Sequence, residues 1–200
     1  MLLIVVVAGL AILAARKAYP FLAVNQPLAG EVLVIEGWAP AEEMEMVVAE
    51  FRRNHYGKVF VTGPPLAKGS PLAEYKTYAD LGAVILHRLG LEINEVQAVP
   101  CPTVRQDRTY TEAVYLRRWL AEHGVSLATL NLMTSGPHAR RSRLLYEKAL
   151  GSKVRVGVIA LEEQGYDPKR WWHSSEGFRI VTGEALAYGY ARFLFRAPKE

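Results

Sequence analysis

The residues best suited to chemistry crowd into one stretch, residues 134–143, TSGPHARRSR. It holds one imidazole, His138, and three guanidiniums, Arg140, Arg141 and Arg143. An apolar run, LNLM, precedes it and a helical pattern, LLYEKAL, follows, so it reads as a strand-to-helix turn. Ser135 or Gly136 suits the N-cap, and Pro137 then takes the first helical position, where a missing N–H costs nothing. The N–H groups and dipole of a helix start favour anions and disfavour cations. Cations crowded there point to a bound anion; the plainer alternative is a solvated basic face. His138 titrates near neutrality and suits general acid or base work. Each arginine can fork two hydrogen bonds onto phosphate or carboxylate.

The surrounding pattern explains how other residues would join this turn. Short apolar, β-branched runs at 32–35, 59–62, 96–99, 129–133 and 154–159 predict five strands. Helical spacing predicts helices at 41–54, 72–89, 110–123, 142–150 and 175–195, the last capped at Ser175. Strands alternating with helices imply α/β architecture, a mainly parallel sheet covered on both faces. In such sheets ligands bind beyond the carboxyl ends of the strands. Those ends offer Glu36, Gly37 and Trp38; Thr62 and Gly63; Arg105, Asp107, Arg108 and Thr109; Thr134, Ser135, His138, Arg140 and Arg141; and a loop with Tyr166, Trp171 and Trp172. Polar, charged and aromatic residues thus collect on one rim, while the strands are almost wholly apolar.

Roles follow from residue type. His138, with Glu36 or Glu112, is the expected catalytic group. Arg105, Arg108, Arg140 and Arg141 are expected on the anion, with Gly37, Thr62, Gly63, Glu74, Thr109, Thr134, Ser135 and Trp171 lining the ligand. Competing readings stay open: Glu36 as base, metal ligand or turn cap; Glu74 and Glu112 as partners for arginine; Arg108 as partner for Asp107 or Glu112. Trp171 and Trp172 could stack on a ring, rest on lipid or close a core.

Residues 1–15, MLLIVVVAGLAILAA, carry no charged side chain and end at Arg16 and Lys17. A signal-peptide core, a membrane anchor and a buried helix compete, since about 15 residues span only ~22 Å of a ~30 Å hydrocarbon core. A hydrophobic single-pass anchor over 1–19 is the expectation, with a Pro-bounded linker at 20–30 and one domain at 31–200. Arg16 and Lys17, taken alone, place the domain on the cytoplasmic side.

The chain has 200 residues, 50% hydrophobic and 22% charged, so it is globular. A net charge of +4 suits an anionic small molecule or membrane surface, and no basic stripe interleaved with aromatics points to nucleic acid. Cys101 is the single cysteine, which rules out an intrachain disulfide. No GxGxxG follows the first strand, and GxxxxGK[ST], GxSxG and HExxH are absent. The sequence therefore requires no cofactor, and a zinc site is not expected. Oligomeric state is unreadable.

TSGPHARRS resembles the TS-x-x-H-x-x-R signature of the bacterial SanA/ElyC/YdcF family, with His138 and Arg141 on its fixed positions. The segment RTYTEA, from Arg108 to Ala113, resembles that family's TxEN-type motif, with Ala113 where Asn is common. Thr62-Gly63-Pro64 stands where Ser-Gly-Gly is frequent, Glu36-Gly37 where Gly-Gly is frequent, and Glu74 is similar to its acidic residue at the second helix. The resemblance covers about residues 31–160. It implies a Rossmann-like three-layer sandwich preceded by an N-terminal hydrophobic anchor helix. It also implies a domain outside the cytoplasm on the inner membrane, and a role in cell-envelope or peptidoglycan biogenesis on a polyprenyl-linked phosphate. The soluble members imply S-adenosylmethionine binding instead. Glu36-Gly37-Trp38 and the Trp-Trp segment depart from the family's pattern.

Overall fold

A computed structural model describes residues 1–66 and 74–198. Five strands, β1 (Val32–Glu36), β2 (Lys58–Gly63), β3 (Val96–Pro100), β4 (Thr129–Ser135) and β5 (Arg155–Leu161), form one sheet in the order β3-β2-β1-β4-β5. All four pairings are parallel. The order reverses between β1 and β4, and a doubly wound sheet opens its crevice at that point.

Side chains alternate across a strand. Leu33 and Ile35 of β1 therefore pack on α2 (Ala41–Asn54) and α3 (Tyr78–Arg88), with Val59, Val61 and Met133. Val32, Val34, Phe60, Leu130 and Leu132 pack on α4 (Arg108–Glu122), α5 (Ala139–Leu150) and the end of α6 (Ser175–Phe193). The same alternation carries each apolar row one step further into polar residues. Glu36 follows Val34, Thr62 follows Phe60 and Thr134 follows Leu132, so all three face α4 and α5 at the strand ends.

Three expectations differ, the simplest being that Ser174, not Ser175, caps the last helix, its hydroxyl accepting from Gly177 N–H at 3.3 Å. The helix expected at 72–89 begins only at Tyr78. Thr77 caps it: its hydroxyl accepts from Asp80 N–H at 3.0 Å and donates to the Asp80 carboxylate at 2.5 Å. The first residues of that expectation, 72 and 73, lie outside the described residues. Residues 134–143 do not enter α5 directly. A 3-10 turn, Gly136–His138, comes first, and Ser135 offers it no side-chain cap because its hydroxyl donates to Glu43 at 2.7 Å.

The N-terminal segment is a helix, α1 (Leu2–Leu22), which contains Arg16, Lys17 and Pro20. The expected boundary at 19/20 thus moves to Leu22. Its last two turns pack Ala15, Ala18, Tyr19 and Leu22 against Tyr166, Trp171 and Val181. Among the described residues, no helix is long and apolar enough to cross a membrane. The expected linker is tied down too. Gln26 exchanges two backbone hydrogen bonds with Val158 of β5, and Asn131 receives Leu28 N–H at 2.8 Å and donates to its carbonyl at 2.7 Å.

Candidate functional site

A cleft of about 930 Å³ opens beyond the strand ends, between the β2–α3 and β3–α4 loops, α5 and α6. Its chemistry centres on His138, whose two ring nitrogens meet different carboxylates. Nδ1 lies 2.9 Å from Glu184 Oε1. Nε2 lies 3.5 Å from Glu36 Oε1 and 3.5 Å from Thr109 Oγ1, contacts long enough to be exchanged for a ligand atom. Arg141 donates to both Glu184 oxygens, Nε to Oε2 at 2.8 Å and Nη2 to Oε1 at 3.0 Å. Arg141 Nη2 also lies 2.8 Å from His138 Nδ1. A guanidinium cannot accept, so if Nδ1 carries a proton the two nitrogens only touch, and Glu184 receives both donors.

The charges support that protonation. Burial would lower the His138 pKa, but Glu36 and the Glu184 hydrogen bond outweigh it and lift it to about 9. Burial would raise Glu36, only 1% exposed, yet His138, the Thr134 hydroxyl and Arg141 hold its carboxyl below the usual range. Thr134 donates to Glu36 Oε2 at 2.7 Å, while Glu36 Oε1, without a hydrogen bond among the described residues, faces His138 Nε2 at 3.5 Å. Glu184 is pulled down to about 2: its partners His138 and Arg141 overcome the opposing effect of burial. Two cations and two carboxylates therefore balance beneath the cleft.

Glu112 behaves differently. It is 2% exposed. Burial first, then the field of Glu36, pushes its pKa up to about 8, so it carries a proton at neutral pH. Thr62 donates to Glu112 Oε2 at 3.1 Å and stands 3.2 Å from the Tyr146 hydroxyl, which donates in turn. Two carboxyl groups with pKa values pushed apart are the usual arrangement for acid and base roles within one site.

The rim carries Arg105 and Arg108, both exposed, and Asp107 between them. Asp107 sits at φ 54°, a left-handed conformation that Asp tolerates better than most residues. It turns the loop into α4, which begins at Arg108. Trp38 also lines the cleft, its ring edge-on to His138 at 5.6 Å. Tyr78 and Tyr190 complete the walls.

The structure thus brings together His138, Glu36, Glu112, Arg105, Arg108, Thr109, Thr134, Arg141 and Thr62 of the expected set. Others stand apart. Arg140 turns to α1, donating to the Phe21 carbonyl and covering the Phe21 ring at 4.0 Å, because one residue along a helix rotates a side chain by about 100° from Arg141. Ser135 alternates to the α2 face and bonds Glu43. Glu74 is exposed and outside the cleft lining. Trp171 is buried under α1, its indole donating to the Ala15 carbonyl at 2.9 Å. Gly37 and Gly63 serve packing: a Cβ would fall 2.2 Å from the Tyr78 carbonyl oxygen at Gly37 and 2.8 Å from Ala79 N at Gly63. Their missing side chains let α3 close on the strand ends.

Glu184 was not foreseen. Its signal is modest: it is the one carboxylate between Arg179 and Arg192 in α6, set among small and apolar residues. Among the described residues, no group of three or more His, Cys, Asp or Glu side chains is placed to hold a metal ion. Cys101 is buried; burial and Glu112 push its thiol up to about 12, so it stays an unreactive thiol. No family model and no curated protein matches the chain.

Proposed function

We propose that this protein binds a phosphorylated ligand in the His138 cleft and hydrolyses its phosphate ester or pyrophosphate bond. The observation that carries the reading is the pairing, in one cleft, of a protonated carboxyl (Glu112) with a cationic His138–Arg141 unit and two rim arginines. Arg105 and Arg108 hold the phosphate at the mouth, and Arg141 and His138 Nε2–H meet it inside. Water attacks phosphorus and the P–O bond to the leaving group breaks. The Glu112 carboxyl protonates the leaving oxygen, and the proton shed by the water returns to the Glu112 carboxylate. Glu36 and Glu184 hold the imidazole in place and keep it charged.

The resemblance of residues 134–142 and 108–113 to the SanA/ElyC/YdcF family supports a bacterial envelope setting, with a polyprenyl-linked phosphate as one substrate class. Within this reading the protein works at the inner membrane, attached through its N-terminal helix, with the domain outside the cytoplasm. The same cations disfavour S-adenosylmethionine, whose sulfonium is positive.

The test is phosphate release from isoprenyl phosphates, isoprenyl pyrophosphates and simple phosphomonoesters. Turnover that falls at least 100-fold in His138→Ala and in Glu112→Gln supports the reading. Full activity in both variants removes the assignment, and ligand binding without any turnover makes the protein a binding module.

A further inference from the structure

Helix α6 lines the cleft with one face and leaves another uncovered. Glu184, Ala187 and Ala191 are on the cleft side. At about 100° per residue, Phe178, Ala185, Leu186, Gly189 and Phe193 fall within one arc of about 100° on the opposite side. Ser175 and Thr182 are its other members, and no charged residue falls inside the arc. Leu186 is 78% and Phe193 81% exposed, and Phe178 and Leu194 are exposed too. Arg179 and Arg192 fall about 20° outside its two borders. Large apolar side chains rimmed by cations are the pattern of a helix lying in a lipid interface, where arginine stems cover apolar surface and their heads reach phosphates.

The neighbouring helix also exposes apolar side chains. In α1, Val6, Val7, Ile12 and Leu13 are exposed, followed by exposed Arg16 and Lys17. α1 packs on α6 through Leu22 with Val181 and Phe21 with Tyr188. Over residues 167–198 the exposed cations are Lys169, Arg170, Arg179, Arg192 and Arg196, against exposed Asp167 and Glu176. A second copy of this chain would bring like charges together at that border; an anionic lipid surface complements them.

We infer that the outer face of α6 lies on an anionic lipid surface, with Phe178, Leu186 and Phe193 at the acyl boundary and Arg179 and Arg192 on the headgroups. The cleft then opens along a helix resting on the bilayer. This inference is independent of the reaction proposed above.

The test uses the full chain carrying Leu186→Cys, labelled with a polarity-sensitive dye. Buried Cys101 stays unlabelled, and Glu122→Cys on exposed α4 is the control. The proteins are reconstituted with phosphatidylcholine vesicles with and without phosphatidylglycerol. The expected result is a blue-shifted emission at position 186, quenched several-fold by spin-labelled lipid, in the anionic vesicles only, with no change at position 122. Arg179→Glu with Arg192→Glu abolishes the shift. A label at 186 that stays water-exposed while the protein sediments with vesicles overturns the inference. So does a shift that grows with protein concentration in the absence of lipid, which assigns the face to a second copy. Retention of the full shift in the double charge reversal overturns it as well.

Discussion

Glu184 of α6 accepts from His138 Nδ1 at 2.9 Å and from Arg141 through both of its oxygens. One carboxylate thus fixes the two cations that give the cleft its character, and it reaches them from the last helix of the chain. Replacing Glu184 with Gln leaves two buried cations facing each other at 2.8 Å. The expected loss is roughly 3 kcal/mol of stability. Chemical denaturation at pH 6 checks it; an unchanged midpoint contradicts the pairing.

The acid limb of stability follows from the same residue. The Glu184 pKa falls from 4.5 to about 2 on folding. A depressed pKa stabilises above the unfolded value, so this contribution is complete above about pH 4.5 and is lost as pH falls toward 2. His138 has the opposite sign. Raised from 6.5 to about 9, it stabilises fully below pH 6.5 and loses that contribution as pH rises through 9. Thermal unfolding of His138→Gln should show a smaller decline between pH 6.5 and 9 than wild type, and a flat profile between pH 8 and 9.

Glu112 supplies a prediction in the reverse sense. A carboxyl raised from 4.5 to about 8 costs stability as pH climbs through that window, because the folded state holds a proton that the unfolded state releases. Glutamine copies the protonated form. Glu112→Gln should therefore match wild type near pH 4 and unfold at a higher temperature at pH 8.5, while losing turnover. A lower unfolding temperature at pH 8.5 would count against a buried, protonated Glu112.

Arg140 and Arg141 separate site from scaffold. Arg141→Ala should weaken anion binding at least tenfold. Arg140→Ala should leave it within about twofold while freeing α1, because among the described residues its guanidinium meets Phe21 and Tyr188 at the α1–α6 contact. Protease sensitivity near residue 22 reads the second effect, and equal loss of binding in both variants contradicts the division.

Gly37→Ala tests whether that glycine serves packing or ligand. Its Cβ meets the Tyr78 backbone, which cannot yield as a side chain tip does. The expected cost is about 1–3 kcal/mol or more of stability. An unaltered stability with weakened ligand binding would restore the ligand role.

The sheet was legible because its strands are short apolar runs buried on both faces. The polar row Glu36, Thr62, Thr134 follows from strand alternation, and its placement at the strand ends follows from parallel topology. The division between Arg140 and Arg141 was missed, both being expected on the anion, although Arg141 follows His138 by three residues and Arg140 by only two. Glu184 was missed too, because nothing local in residues 175–193 says which face of the sheet α6 covers. The helix expected from residue 72 failed for a local reason: Thr77 and Asp80 supply a cap that the apolar pattern does not reveal. Trp171 was misplaced because an adjacent tryptophan pair looks the same in a core as in a binding wall.

The most direct measurement is calorimetric titration of pyrophosphate and an isoprenyl phosphate into the full chain at pH 6.5, beside Arg141→Ala. At this pH His138 is charged and Glu112 is neutral. The account predicts saturable one-site binding to wild type, at least tenfold weaker in Arg141→Ala, a change of about 1.4 kcal/mol. Equal binding by both proteins, or none by wild type, would contradict an anion site built on His138 and Arg141.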